Sequence, residues 1–184
     1  MKHLRFMVVL CVAVLVGCAG RGSVSPTDET LSLVFGYFDM NDAPTKAQWV
    51  GLKQYGGKDA GTYTLSVQDG LFFHVGIEPG SYQVDKFGGS GFLRGDYVYN
   101  FGGKGRNSTA IRIQKPGVYF LGAHRYVNHA GKGLFAPDKF EMVSTKAPSE
   151  KELLQRLIKR LENDRELAAY TRQLKLARER LAKL

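Results

Sequence analysis

Hydrophobic and polar positions divide the chain into four stretches. Phe6 to Val16 is an uninterrupted apolar run of about 11 residues, and residues 19–29 are small and polar with no apolar periodicity. From Thr30 to about residue 146, short runs rich in β-branched and aromatic residues alternate with Gly, Pro, Asn and Asp, the texture of strands bounded by turns. A 3.6-residue period sets in only near residue 150. The third stretch predicts strands at roughly 30–38, 48–54, 62–68, 71–77, 81–87, 96–101, 109–114, 117–127 and 138–145. Asp69-Gly70 between two such runs is the strongest hairpin signal, because both positions of a type I′ turn need positive φ. Nine short strands at roughly 8 to 12-residue spacing predict a mainly β, antiparallel immunoglobulin-like sandwich or barrel over residues 30–146.

Ser149-Glu-Lys-Glu152 reads as a capping box, in which hydroxyl and carboxylate each satisfy a free backbone N–H at a helix start. Leu153, Leu154, Leu157, Ile158 and Leu161 then form one apolar stripe. Leu167, Tyr170, Leu174, Ala177, Leu181 and Leu184 form a second, rotated from the first, with Glu162-Asn-Asp164 between them. The stretch 149–184 is therefore a basic amphipathic helical tail, either one long helix or a two-helix hairpin. Leu154, Leu157, Leu161, Leu167, Leu174 and Leu181 make a candidate face for a partner helix. Packing against the β domain and lying on an anionic membrane surface are the other uses open to it.

Lys2 and Arg5 precede the apolar run, whose length suits a secretory signal peptide and falls short of the roughly 20 residues of a spanning helix. The run ends in Leu15-Val16-Gly17-Cys18. This resembles the lipobox of bacterial lipoproteins, and the resemblance implies cleavage between Gly17 and Cys18, after a signal peptide of residues 1–17, and diacylglycerol on the Cys18 thiol. Residues 18–29 then become a lipidated flexible tether. The only other cysteine, Cys11, lies inside the apolar run, so the mature chain has no disulfide. Ala19 after the lipidated cysteine, by the same resemblance, implies the periplasmic face of an outer membrane, or the outer face of the cell membrane in a Gram-positive organism.

Val75-Gly-Ile77-Glu-Pro79-Gly80-Ser-Tyr82-Gln-Val84 and Ile111-Arg-Ile113-Gln-Lys-Pro116-Gly117-Val-Tyr119-Phe-Leu121 echo each other. Each carries alternating apolar residues into Pro-Gly and leaves through Tyr two residues later, which predicts a type II turn joining two strands. The pattern resembles the prealbumin-like and carboxypeptidase-regulatory-like β-sandwiches, some of which sit in small bacterial lipoproteins. The resemblance implies a fold more than an activity.

Lys and Arg number 26 against 17 Asp and Glu, a net charge of +9 that falls to +7 once Lys2 and Arg5 are removed. Such a surface is drawn to anionic headgroups or polyanionic glycans, and export argues against nucleic acid as a partner. Arg94, Lys104, Arg106, Arg125 and Lys132 form a candidate rim for an anionic ligand, with scattered solvated charge as the plainer reading. His124 and His129 face opposite sides of an extended strand and, with His74, offer no convergent ligand set, so no metal or other cofactor is expected. Ser90 lacks the second glycine of a nucleophile elbow, and Gly102-Gly-Lys-Gly-Arg-Asn-Ser108 lacks the spacing and following helix of a phosphate loop. The aromatic residues, Trp49 among them, are expected mostly in the core. These observations point to a non-enzymatic, lipid-anchored binding or scaffolding protein whose partners are the membrane and an envelope protein or glycan. The alternatives are an accessory lipoprotein of a secretion or envelope-assembly machine, and a glycan-processing hydrolase using Asp39, Asp42 or Asp96 beside a histidine.

Overall fold

The structure is a computed structural model that describes residues 25–56, 61–91, 95–101, 109–129 and 139–184. The signal segment with Gly17 and Cys18, and Arg94, Lys104, Arg106 and Lys132 of the expected cationic rim, lie outside the described residues. The strands are β1 (Ser32–Asp39), β2 (Trp49–Tyr55), β3 (Thr62–Gln68), β4 (Leu71–Ile77), β5 (Gly80–Gly91), β6 (Gly95–Asn100), β7 (Ile111–Ile113), β8 (Val118–His129) and β9 (Lys139–Thr145). Two helices follow, α1 (Glu150–Asn163) and α2 (Thr171–Leu181).

The strands join one sheet in the order β6-β5-β2-β3-β4-β1-β8-β9, with β7 added beside β5. The first five residues of β3 pair with β2, whereas Val67 and Gln68 pair with β4, so the sheet turns over along this strand. One wing carries β2, β5, β6 and β7, and the other carries β4, β1, β8 and β9. Their inner faces share a core that includes Val50, Leu52, Val84 and Phe87 from the first wing and Val34, Phe38, Phe72 and Leu121 from the second. Where the ends of the curl approach, Tyr99 of β6 meets Phe140 of β9 with ring centroids 4.9 Å apart.

The sheet is mixed rather than wholly antiparallel, because β1 runs parallel to β8 from Leu33↔Val118 to Asp39↔Arg125. No hairpin can join two parallel strands, and here nearly the whole β domain separates them. Strand β1 is covered on both faces, which accounts for its nearly continuous apolar sequence. Its inward side feeds the shared core, while Leu33 and Phe35 point the other way and meet the helices.

The turn between β3 and β4 is the expected one: Asp69 and Gly70 take φ of 49° and 77°. The two Pro-Gly steps differ from the type II expectation, since neither Gly80 nor Gly117 has positive φ. Nor do they join neighbouring strands. The first carries the chain from β4 in one wing to β5 in the other, and the second carries it back from β7 to β8. At both, the tyrosine hydroxyl donates to the carbonyl of the residue before proline, Tyr82 to Glu78 at 2.8 Å and Tyr119 to Lys115 at 2.7 Å. The tyrosine thus holds a corner, as one does in immunoglobulin-like folds. Its ring lies against the glycine; a Cβ on Gly80 would come within 3.0 Å of Tyr82 Cε2. The repeat in the sequence is therefore a repeat of wing-crossing corners.

The tail forms two helices. The capping box is present, with Glu152 N–H donating to Ser149 Oγ at 3.3 Å and Ser149 N–H to Glu152 Oε2 at 2.7 Å. These bonds from Ser149 hold the Glu152 carboxyl below the usual range. Leu153, Leu154, Leu157, Ile158 and Leu161 are buried against Leu33, Phe35, Leu71, Val75 and Ala123 on the outer face of β1, β4 and β8. From α2 and the turn before it, Ala177 is fully buried there, and Leu167, Leu174 and Leu181 are partly buried. The stripe containing Leu154, Leu157 and Leu161, a candidate partner face from sequence, covers the chain's own sheet instead. A β-sheet whose outer face carries Leu, Phe and Val needs such a cover, and this stripe supplies it. Arg178 and Arg180, two residues apart on α2, reach Glu162 at 2.7 Å and Glu150 at 2.9 Å near opposite ends of α1. Acids twelve residues apart on a helix are separated by about 18 Å, so α2 crosses α1 instead of running alongside it.

Candidate functional site

Two clefts open near the start of β2. The larger, about 480 Å³, is lined by Tyr37 to Asn41, by Lys46, Ala47 and Gln48, and by the β3–β4 turn. The smaller, about 320 Å³, is lined by Gln48, Trp49, Gly89, Ser90, Asp96, Tyr97 and Val98. Gln48 is the wall they share. Its side-chain carbonyl accepts from Ser90 N–H at 3.1 Å, and its amide donates to the Ser90 carbonyl at 3.1 Å, a side chain completing the strand pairing beyond the end of β2. The Tyr97 hydroxyl donates to the Lys46 carbonyl and ties β6 to the same segment.

Asp39 enters the larger cleft already paired, its Oδ2 accepting from Arg125 Nε at 2.9 Å. Arg125 is the one member of the expected cationic rim among the described residues, and this carboxylate compensates its charge. Asp96 belongs to the smaller cleft, and Asp42 lines neither. No described histidine lines either one. His124 is buried against Phe38 and Phe101, ring centroids 6.1 and 5.4 Å away, with Nε2 3.2 Å from the Leu121 carbonyl. Burial lowers its pKa, and the Leu121 contact opposes this in part. His74 packs edge-on against Tyr63, accepts the Gly76 N–H at 3.0 Å through Nδ1, and is likewise lowered by burial. His129 lies 3.6 Å from Glu141 on the exposed end of β8. Among the described residues no three His, Cys, Asp or Glu side chains are placed to share a metal ion. The trio Asp39, Asp42 and Asp96 does not converge with a histidine.

Trp49 stands apart from the aromatic residues it was grouped with in the sequence. It belongs to neither hydrophobic core. Along β2 the inward positions are Val50 and Leu52, and Trp49 falls with Gly51 and Lys53 on the other side. A tryptophan on the polar side of an alternating strand was the available signal.

The outer face around Trp49 is built from cross-strand neighbours in register. Ser66, Trp49, Gly88 and Val98 form one row across β3, β2, β5 and β6, and Thr64, Gly51, Lys86 and Asn100 form the next. Gly88 lets the indole lie down on the sheet, since a Cβ there would come within 2.9 Å of Trp49 Cζ2. Val98 is 56% exposed. Comparison of the chain with family models, curated proteins and solved structures found no match.

Proposed function

We propose that the chain is a lipid-anchored envelope protein with a non-enzymatic binding or scaffolding role. The observation that carries this reading is Leu15-Val16-Gly17-Cys18 directly after a basic start and an apolar run of secretory length. Two or three acyl chains at about 0.8 kcal/mol per buried CH₂ make such an anchor effectively permanent. Among the described residues no helix is long and apolar enough to cross a membrane. The prealbumin-like kinship belongs to the same reading and is supported by the two Pro-Gly-x-Tyr corners.

The support for binding is the smaller cleft at the edge of β2, β5 and β6, where Trp49 stands beside the unpaired Asp96 carboxylate. The anchor is tested by expressing the full chain in a Gram-negative host fed labelled palmitate. The expected result is label and a mass shift on the peptide beginning at Cys18, both lost in Cys18→Ala, with the protein in the outer-membrane fraction. An unlabelled chain, or label retained in Cys18→Ala, refutes it.

A further inference from the structure

Within that reading, we infer that the smaller cleft is a glycan site at which Trp49 is the platform for a pyranose ring and Asp96 holds its hydroxyls. The chain's sole tryptophan is placed where it contributes to neither core. It is half-buried and lines the smaller cleft, and aromatic side chains are the usual lining of small-ligand sites. The indole is laid flat on Gly88, and its row neighbours Ser66 and Val98 are too short to screen it. No other described ring stacks on this half-buried indole.

Two polar groups lining the cleft are unused. The Trp49 indole N–H and the Asp96 carboxylate have no hydrogen-bond or ion-pair partner among the described residues. An indole beside a carboxylate, with the Ser90 hydroxyl held by Gln48 Oε1 at 3.3 Å on the same wall, matches a sugar ring, which offers C–H groups on one face and hydroxyls around its edge. A few polar groups beside an apolar surface are the usual means of orienting a ligand. Among the described residues Asp96 is the one charged side chain lining the cleft, which disfavours an anion. The row from Trp49 to Val98 spans two strand spacings, about 10 Å, long enough to seat more than a single ring. A bilayer is the less suitable occupant, because interfacial binding requires apolar side chains that project some 5–10 Å into the acyl boundary, and this indole lies along the sheet.

The single tryptophan makes the test specific, since all indole emission comes from the cleft. The full chain in a polyoxyethylene detergent, which contains no sugar, is titrated with a β-linked N-acetylglucosamine tetramer and with maltotetraose. Parallel titrations use tetramethylammonium and phosphatidylethanolamine–phosphatidylglycerol vesicles. The expected result is a saturable change in emission with at least one oligosaccharide, and in Asp96→Ala a half-saturation raised about tenfold at an unchanged thermal midpoint. Sedimentation with insoluble cell-wall glycan, which needs no indole, is expected to be lost in Trp49→Ala. The inference is overturned if neither oligosaccharide changes the emission, if only tetramethylammonium or vesicles do, or if Asp96→Ala binds as tightly as the parent. Lipidation of Cys18 is read independently by mass, so failure of the glycan site is distinct from failure of the anchor.

Discussion

Leu157 sits in the middle of the α1 stripe, fully buried between the helix and the outer face of the sheet. Truncating it to alanine removes three heavy atoms from a site walled by sheet residues that cannot close the gap. Such Leu→Ala changes cost about 2–5 kcal/mol. For a chain of this length, 1 kcal/mol moves the thermal midpoint by about 2–4 °C, so Leu157→Ala is expected to lower it by about 4–20 °C. Urea denaturation followed at once by far-ultraviolet dichroism and by Trp49 emission gives the same free energy directly. The two probes are expected to coincide, because the helices and the β2 wing are parts of one cooperative unit. Removing everything after Lys146 is a larger form of the same perturbation. The five buried α1 residues contribute roughly 1.5–3 kcal/mol each before entropy is counted, comparable in sum to the 5–15 kcal/mol of a whole domain. The truncated chain is therefore expected to lose its cooperative transition and to aggregate through Leu33, Phe35, Leu71 and Val75. A truncated chain that still melts cooperatively, or Leu157→Ala costing under about 1 kcal/mol, would refute the claim that the tail belongs to the core.

Three further tests address single groups. Gln173 is fully buried with neither atom of its amide hydrogen-bonded among the described residues, so Gln173→Leu is expected to raise stability by about 1–3 kcal/mol in urea, and a loss refutes this. Tyr82→Phe is expected to cost about 0.5–1.5 kcal/mol, and Tyr119→Phe, whose hydroxyl bond is solvent-exposed, less; equal losses would show that burial does not set the worth of the corner. His74 and His124 have lowered pKa values, so between those values and the ordinary value near 6.5 the unfolded chain binds more protons than the folded one. Stability is expected to be complete above that value and to fall as the pH drops below it, by thermal unfolding at pH 7.5, 6 and 5; an unchanged midpoint, or imidazole NMR titrations above 6.5, would contradict it.

All nine strands were legible because alternation and turn residues are local signals, and the observed strands fall close to the expected spans. Partner choice was not, because it depends on contacts far apart in sequence. Nothing near Ser32 announces that β1 will lie parallel to β8, and Glu78-Pro79 looks the same whether the next strand pairs with β4 or crosses to the other wing. The Pro-Gly-x-Tyr repeat was visible, but its meaning rested on where the tyrosine hydroxyl ends up. In the tail, the rotation of the second apolar stripe and the polar Glu162-Asn-Asp164 marked the break between helices, and only the geometry showed which surface the first stripe covers. Most of the aromatic residues do fall in the core, and Trp49 is an exception whose position opposite Val50 and Leu52 in the alternation was already visible.

The two ends of the described chain meet. Arg172 donates to the Leu31 carbonyl at 3.2 Å across 141 positions of sequence, and the same cluster holds Leu33 from the first strand and Ala177 from the last helix. For a chain threaded amino end first through a narrow channel, the first strand therefore emerges long before the strand that pairs with it in parallel and the helix that covers it. Closing so long a loop is slow, and until it closes β1 presents Leu33 and Phe35 uncovered. The order of the elements thus sets a waiting time: the leading strand has to be shielded until the last 35 residues or so have followed it out.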